Sequence, residues 1–157
     1  KARYLINFGI KNKEEIPELG TNAKMNEFEA AMGLCVLDDM QDLYAMRRIV
    51  YEFYKKELEG VVKFQELNKN STQNYSYFPI ILENEEQLKK AEKALNLKEI
   101  FPRRYFYPSL DALTYINPKQ FCKISRDVAS RILCLPMYVE LEVNQQKNII
   151  DTLINNL

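Results

Sequence analysis

The sequence predicts an α+β chain: one long helix, then a small antiparallel sheet flanked by helices. Three observations predict it. Met32, Val36, Met40, Leu43, Val50, Tyr54 and Leu58 recur at steps of three or four residues, with Arg47 in the one remaining slot. Two β-rich alternating segments, 61–65 and 75–82 (YSYFPIIL), flank the polar loop LNKNSTQN, as antiparallel neighbours do. Helical composition and periodicity return at 83–95, 125–132 and 144–155.

Taken in order, residues 3–8 form a short helical turn or strand that ends at Gly9, and the polar KNKEEIPEL, 11–19, is a loop. The long helix has a marked start. Asn26 caps it, Glu29 three residues on closes a capping box, and Met25 with Ala30 forms the flanking staple. Gly60 ends it. In the strand at 75–82, Pro79 has no N–H to give a ladder, which implies an edge position or a bulge. Helix 83–95 leads into a third, proline-interrupted strand at 100–105 (IFPRRY), so a β-α-β unit is expected. Residues 107–120, with Pro108 and Pro118, read as loop with short turns. Ser125 caps the next helix, Leu135-Pro136 ends it, and residues 144–155 form the last helix.

Composition narrows the functions. The 157 residues are 46% hydrophobic and 28% charged, ordinary for one soluble domain or a domain with an arm. Lys+Arg and Asp+Glu both total 22, so no basic excess draws the chain to nucleic acid. The longest apolar run, 30–37, is far short of the roughly 20 residues of a membrane span, and there is no apolar signal core at the start, so a cytoplasmic protein without a membrane partner is expected. Cys35, Cys122 and Cys134, widely spaced among apolar residues, read as reduced core thiols, with no metal site. Histidine is absent, which removes the commonest general base and any Ser/His/Asp or Cys/His triad.

Two stretches carry candidate chemistry. In GTNAKMNEFEAAMGL, 20–34, Gly20 can supply a turn, Asn22 a local turn or cap, and Lys24 a solvated charge. The alternative is a phosphate site, since a carboxamide and backbone N–H groups near a helix start donate to anions and a lysine adds charge. In RRYFYP, 103–108, the plain reading is a strand running into a proline loop with rings packed as core. The alternative is a substrate pocket in which Arg104 pairs with a diphosphate and Tyr107 stacks on a ring. Arg47, on the apolar stripe, needs a partner and is expected in a structural ion pair. Tyr75 and Tyr77 share a strand face and read as core or interface. The acidic pairs Glu14-Glu15, Asp38-Asp39 and Glu85-Glu86 are sequence neighbours that cannot face one another, so they read as solvated surface.

Several of these segments occur in an order that resembles a known family. Gly20-x-Asn22-x-Lys24-Met25-Asn26-Glu27, then Ala30-Ala31-x-Gly33-Leu34, Leu37, Arg47 and Tyr54 are similar to the run after the cofactor-lysine region of DegT-type nucleotide-sugar aminotransferases, fold-type-I enzymes that use pyridoxal 5'-phosphate. The strand YSYFPIIL, a helix, Arg103 through Pro108, and Ala129 with Leu133-Cys134-Leu135-Pro136 continue the match in the family's order. The motifs are weak singly and specific together, and they span nearly the whole chain.

The resemblance implies the following expectations. The fold is that of the C-terminal domain of fold-type-I enzymes, with 1–35 closing a large-domain segment and starting the long helix, and 36–157 forming the C-terminal small domain. The cofactor lysine and the acidic partner of the pyridine nitrogen lie upstream in the family, so the chain would be a C-terminal portion, with no catalytic residue assigned within it and no transamination expected from it alone. Asn22 would reach the cofactor phosphate of a neighbouring subunit in a homodimer, and Lys24, Arg104 and Tyr107 would contact a nucleotide-sugar substrate, the amino donor being glutamate. Many members carry histidine two residues after the proline, where this chain has Leu110, and YFYP resembles the variant associated with dTDP-linked keto-sugars. Polysaccharide biosynthesis is the implied setting. Two other readings remain open: a non-catalytic interaction domain using the exposed face of the long helix, and a sugar dehydratase of the same family.

Overall fold

Helix α2, Glu27–Glu57, is continuous over 31 residues, so the periodic stripe and its arginine slot form one helix. It begins with the expected capping box. The Asn26 side-chain oxygen accepts from the Glu29 backbone N–H at 2.9 Å, and the Glu29 carboxylate accepts from the Asn26 backbone N–H at 3.0 Å. Two donors that a helix start leaves open are thereby satisfied. Met25 stays 68% exposed, so no staple closes over the cap. Beyond the other end, Gly60 takes φ +76°, a conformation glycine adopts at no steric cost. The computed structural model describes residues 1–117 and 120–157 and divides the chain into two compact units, Lys1–Gln41 and Asp42–Leu157. The resemblance implies a boundary of a different kind, between a large-domain segment and the small domain, after residue 35.

The first unit opens with α1, Ala2–Leu5, after which two passes of backbone touch at a pair of glycines. Gly9 has φ +76°, and a Cβ there would lie 1.6 Å from the Glu18 carbonyl oxygen; one on Gly20 would lie 2.3 Å from the Gly9 nitrogen. Only glycine at both positions allows the passes to meet. They are tied by Thr21 N–H to the Leu5 carbonyl (2.9 Å), Phe8 N–H to the Thr21 carbonyl (3.1 Å) and Ala23 N–H to the Ile6 carbonyl (3.0 Å).

In the second unit, β1 (Lys63–Phe64), β2 (Phe78–Ile81) and β3 (Ile132–Leu135) form an antiparallel sheet in the order β1-β2-β3. Phe78, Ile80, Leu133 and Leu135 are buried in one core with Val50 and Tyr54 of α2 and Leu58 just beyond it, with Leu88, Ala91 and Leu95 of α3 (Glu85–Asn96), and with Ile149, Ile150 and Leu153 of α5 (Val143–Ile154). Each fully buried side chain of this size contributes on the order of 1.5–3 kcal/mol. The helices start on side-chain caps: Asn84 accepts from the Gln87 N–H at 2.9 Å, and Glu142 with Gln145 forms a capping box.

Five expectations are corrected. Pro79 lies in the central strand, not at an edge. It is tolerated because its neighbour Cys134 directs both backbone bonds to Arg103, and because β1 pairs only with Ile80 and Ile81 and ends before Pro79. Residues 100–105 contribute a single antiparallel bridge, Arg103 with Cys134, in place of a full strand. The strand between them is β3, 132–135, where the sequence suggests only a helix end; buried on both sides, its ILCL run lacks the alternation that marks a half-exposed strand. Helix α4, Lys123–Arg131, starts at Cys122, and Ser125 lies inside it, bonded to the Ser109 hydroxyl at 2.7 Å. Cys134 is buried as expected, whereas Cys35 and Cys122 are exposed. Pro118 lies outside the described residues.

The core assignment makes one prediction. Leu133→Ala, at a position with no exposure, should lower unfolding free energy by about 2–5 kcal/mol in a denaturant titration. Leu97→Ala, at a residue 78% exposed, should change it by no more than about 0.5 kcal/mol.

Candidate functional site

Asn22 and Lys24 follow the glycine crossing of the first unit. Asn22 bridges Asn7 through the backbone, and its exposed carboxamide makes no side-chain hydrogen bond among the described residues. Lys24 is held: its ammonium donates to the Asn7 side-chain oxygen at 2.8 Å and lies 5.0 Å from the centre of the Phe8 ring. The pair therefore presents one uncommitted carboxamide beside a fixed positive charge, before a helix whose N-terminal dipole also favours anions.

The second unit separates the two arginines of RRYFYP. Arg104, its side chain 15% exposed, donates from Nη2 to Glu85 Oε1 at 3.1 Å and to the Ser130 carbonyl at 3.0 Å, with its guanidinium carbon 3.8 Å from the centre of the Tyr107 ring. The Arg104 guanidinium and then Lys89 hold the Glu85 carboxyl below its usual range. Arg104 is thus engaged in the fold, and the ring it carries, Tyr107, is 52% exposed. Arg103 is exposed instead, donating to the Tyr105 hydroxyl with its guanidinium carbon 5.6 Å from that ring's centre. Sequence reasoning passed over Arg103. The signal that separates the two is the period of two along an extended segment.

Of the remaining candidates, Arg47 donates to the Tyr75 carbonyl at 3.2 Å, a backbone partner where an ion pair was expected. Tyr75 and Tyr77 precede β2 and do not share a strand face. Tyr75 meets the Tyr51 ring at 5.3 Å, while Tyr77, 54% exposed, meets Tyr105 edge-on at 5.3 Å. Glu85 is paired with Arg104 and Lys89, so it is not simply solvated surface. A second anchor follows the proline loop: the Asp111 carboxylate, its side chain 7% exposed, accepts from the Cys122 backbone N–H at 2.9 Å, from Arg126 Nε at 2.7 Å and from the Ser109 hydroxyl.

A long helix leads into a small antiparallel sheet with helices packed on one face, an architecture shared with solved aminotransferases. The sequence profile of the DegT/DnrJ/EryC1/StrS aminotransferase family matches residues 1–154, and the chain belongs to that family. The dTDP-4-amino-4,6-dideoxy-D-glucose transaminase of Shigella dysenteriae is 35% identical over 160 residues, covering 98% of this chain and 44% of that protein. The Escherichia coli transaminase of the same name is 32% identical over 146 residues, covering 87% of this chain and 39% of its own length. The chain therefore spans less than half the length of these curated relatives. In fold, the chain overlays the crystal structure of the aminotransferase TlmJ from Streptoalloteichus hindustanus with a TM-score of 0.87 at 18% identity, over 99% of this chain and 43% of that one. The family's enzymes depend on pyridoxal 5'-phosphate. The exposed Asn22 carboxamide bonds no side chain among the described residues, and a carboxamide N–H is chemically able to donate to a phosphate.

Asp111 generates a pH prediction. The Cys122 N–H, the Ser109 hydroxyl and Arg126 hold its carboxyl down at about 2, against an ordinary 3.8. A carboxyl depressed on folding contributes stability above its unfolded value and loses it as pH falls toward the folded one. The Cys122 amide resonance should therefore stay constant above about pH 4 and shift with a midpoint near 2, and Asp111→Asn should abolish that step. A Cys122 shift unchanged down to pH 1.5 would count against the anchor.

Proposed function

We propose that this chain is the C-terminal part of an enzyme that transfers an amino group from an amino-acid donor, glutamate, to a keto-sugar linked to dTDP. The observation that carries this reading is the 35% identity to a dTDP-sugar transaminase across 98% of the chain. When bound, pyridoxal phosphate would supply the electron sink for moving the amino group. The lysine that bears it is proposed to lie outside residues 1–157. This chain's residues would do the following. Asn22 donates its carboxamide to the cofactor phosphate of a neighbouring subunit, and Lys24, fixed by Asn7, approaches the nucleotide-sugar. Tyr107 offers its exposed ring to the substrate, and Arg104 holds that ring in place through Glu85 and Ser130.

The proposed assembly is a cytoplasmic homodimer serving polysaccharide biosynthesis. The exposure of Phe28 (89%), Met32 (67%), Leu34 (64%) and Leu37 (58%) on the first part of α2 supports a partner surface there.

The direct test is the full-length protein with dTDP-4-keto-6-deoxyglucose, glutamate and pyridoxal phosphate. Mass spectrometry should find an aminated dTDP-sugar and 2-oxoglutarate in equal amounts, and borohydride trapping should label a lysine outside residues 1–157. A deoxygenated sugar without nitrogen would assign the dehydratase reading instead. Asn22→Ala should weaken cofactor binding roughly ten- to a hundredfold, the worth of about 1.5–3 kcal/mol for a hydrogen bond to a charged group. Because the Asn22 side chain is exposed and bonds nothing among the described residues, the cofactor-free protein should unfold at an unchanged temperature.

A further inference from the structure

Phe101, Arg103 and Tyr105 alternate along the segment that bridges Cys134, so their side chains share the side of the sheet away from the core helices, while Pro102 and Arg104 take the other. With Tyr77, Pro136 and Met137 they line a cleft of about 320 Å³. That is the small end of the roughly 300–1,000 Å³ range of ligand sites, room for one end of a larger molecule or for a small one entire. Arg103 is the charged side chain in the lining, and no carboxylate lines it to compete for an anion. The guanidinium is steadied by the Tyr105 hydroxyl and ring, which leaves its remaining donors for a ligand. Tyr77 stands edge-on to Tyr105 at 89° and is 54% exposed, and Phe101 is 69% exposed, so these rings present open faces where the core aromatics present none.

We propose that this cleft binds a flat ring joined to an anionic group, with the ring among Tyr77, Phe101 and Tyr105 and the anion on Arg103. A fixed guanidinium beside aromatic walls recognises both parts together, the anion by charge-assisted hydrogen bonds and the ring by stacking. Two sources share that chemistry. One is the nucleotide end of the sugar substrate, which rests on the function proposed above; the other is a free aromatic acid, which does not.

Isothermal titration of the full-length protein with thymidine 5'-monophosphate, thymidine, inorganic phosphate and benzoate tests it. Saturable binding of the monophosphate, with thymidine and phosphate each at least tenfold weaker, supports the nucleotide source. Saturable benzoate binding with no preference for the nucleotide supports the aromatic-acid source. In either case Arg103→Gln should weaken binding at least tenfold and Phe101→Ala severalfold. Arg48→Gln, at an exposed position of α2 outside the lining, should leave it unchanged. Circular dichroism confirms that each variant is folded. The assignment is overturned if neither ring-bearing anion binds more tightly than phosphate, or if Arg103→Gln binds like the parent chain. A full-length Arg103→Gln enzyme that aminates its dTDP-sugar with unchanged KM would remove the nucleotide source and leave the proposed function standing.

Discussion

The pairing of Cys134 with Arg103 is the constraint on which the second unit depends. Cys134 donates its N–H to the Arg103 carbonyl at 2.7 Å and accepts from the Arg103 N–H at 3.0 Å. The N–H and C=O of one antiparallel strand residue point to the same side, so Cys134 has neither left for Pro79 across the sheet. A proline in a central strand is therefore no loss here. The same pair brings 100–105 back parallel to β2 with β3 between them, a split form of the β-α-β unit. It also sets which way each residue after Ile100 points, and hence sends one arginine to the open cleft and the next to the helices.

What Arg104 does there links three elements. Its guanidinium joins the first turn of α3, through Glu85, to the last turn of α4, through the Ser130 carbonyl, and lies against the Tyr107 ring. A carboxylate in a helix's first turn is already favoured by the helix dipole, and a terminal carbonyl is a free acceptor, so both partners are poised for a cation. A loop held this way presents Tyr107 from a fixed base. In the first unit, two glycines in contact and the Asn26–Glu29 cap hold the backbone on either side of Asn22 and Lys24 in the same sense.

Much of this was legible in the residues, and the reasons differ from element to element. The Asn26–Glu29 capping box is local, set by side chains three residues apart, and sequence reads such contacts well. The strand at 132–135 is not local. Its apolar run is buried on both sides and carries no period to distinguish it from a helix end. Its existence then decides the fate of Pro79 and of 100–105, so one missed strand accounts for two other misreadings. The roles of the adjacent arginines could not be assigned without knowing which residue pairs with Cys134, although the alternation itself was available. Ser125 was a reasonable cap by type, but Asp111, eleven positions before Cys122, supplies that helix start from a distance no local rule covers.

Helix α2 shows what periodicity does and does not say. Val50, Tyr54 and Leu58 are buried, while Met32 and Val36, on the same stripe, are 67% and 50% exposed. A repeat of three and four states which residues share a face; whether anything covers that face is a separate fact. The early turns also depart from a single stripe. Phe28, Met32 and Val36 follow one line at steps of four, whereas Leu34 and Leu37 fall on another side of the helix. Surface helices have one apolar face, and helices apolar on several sides belong in interiors. These turns therefore have the composition of a segment enclosed on more than one side.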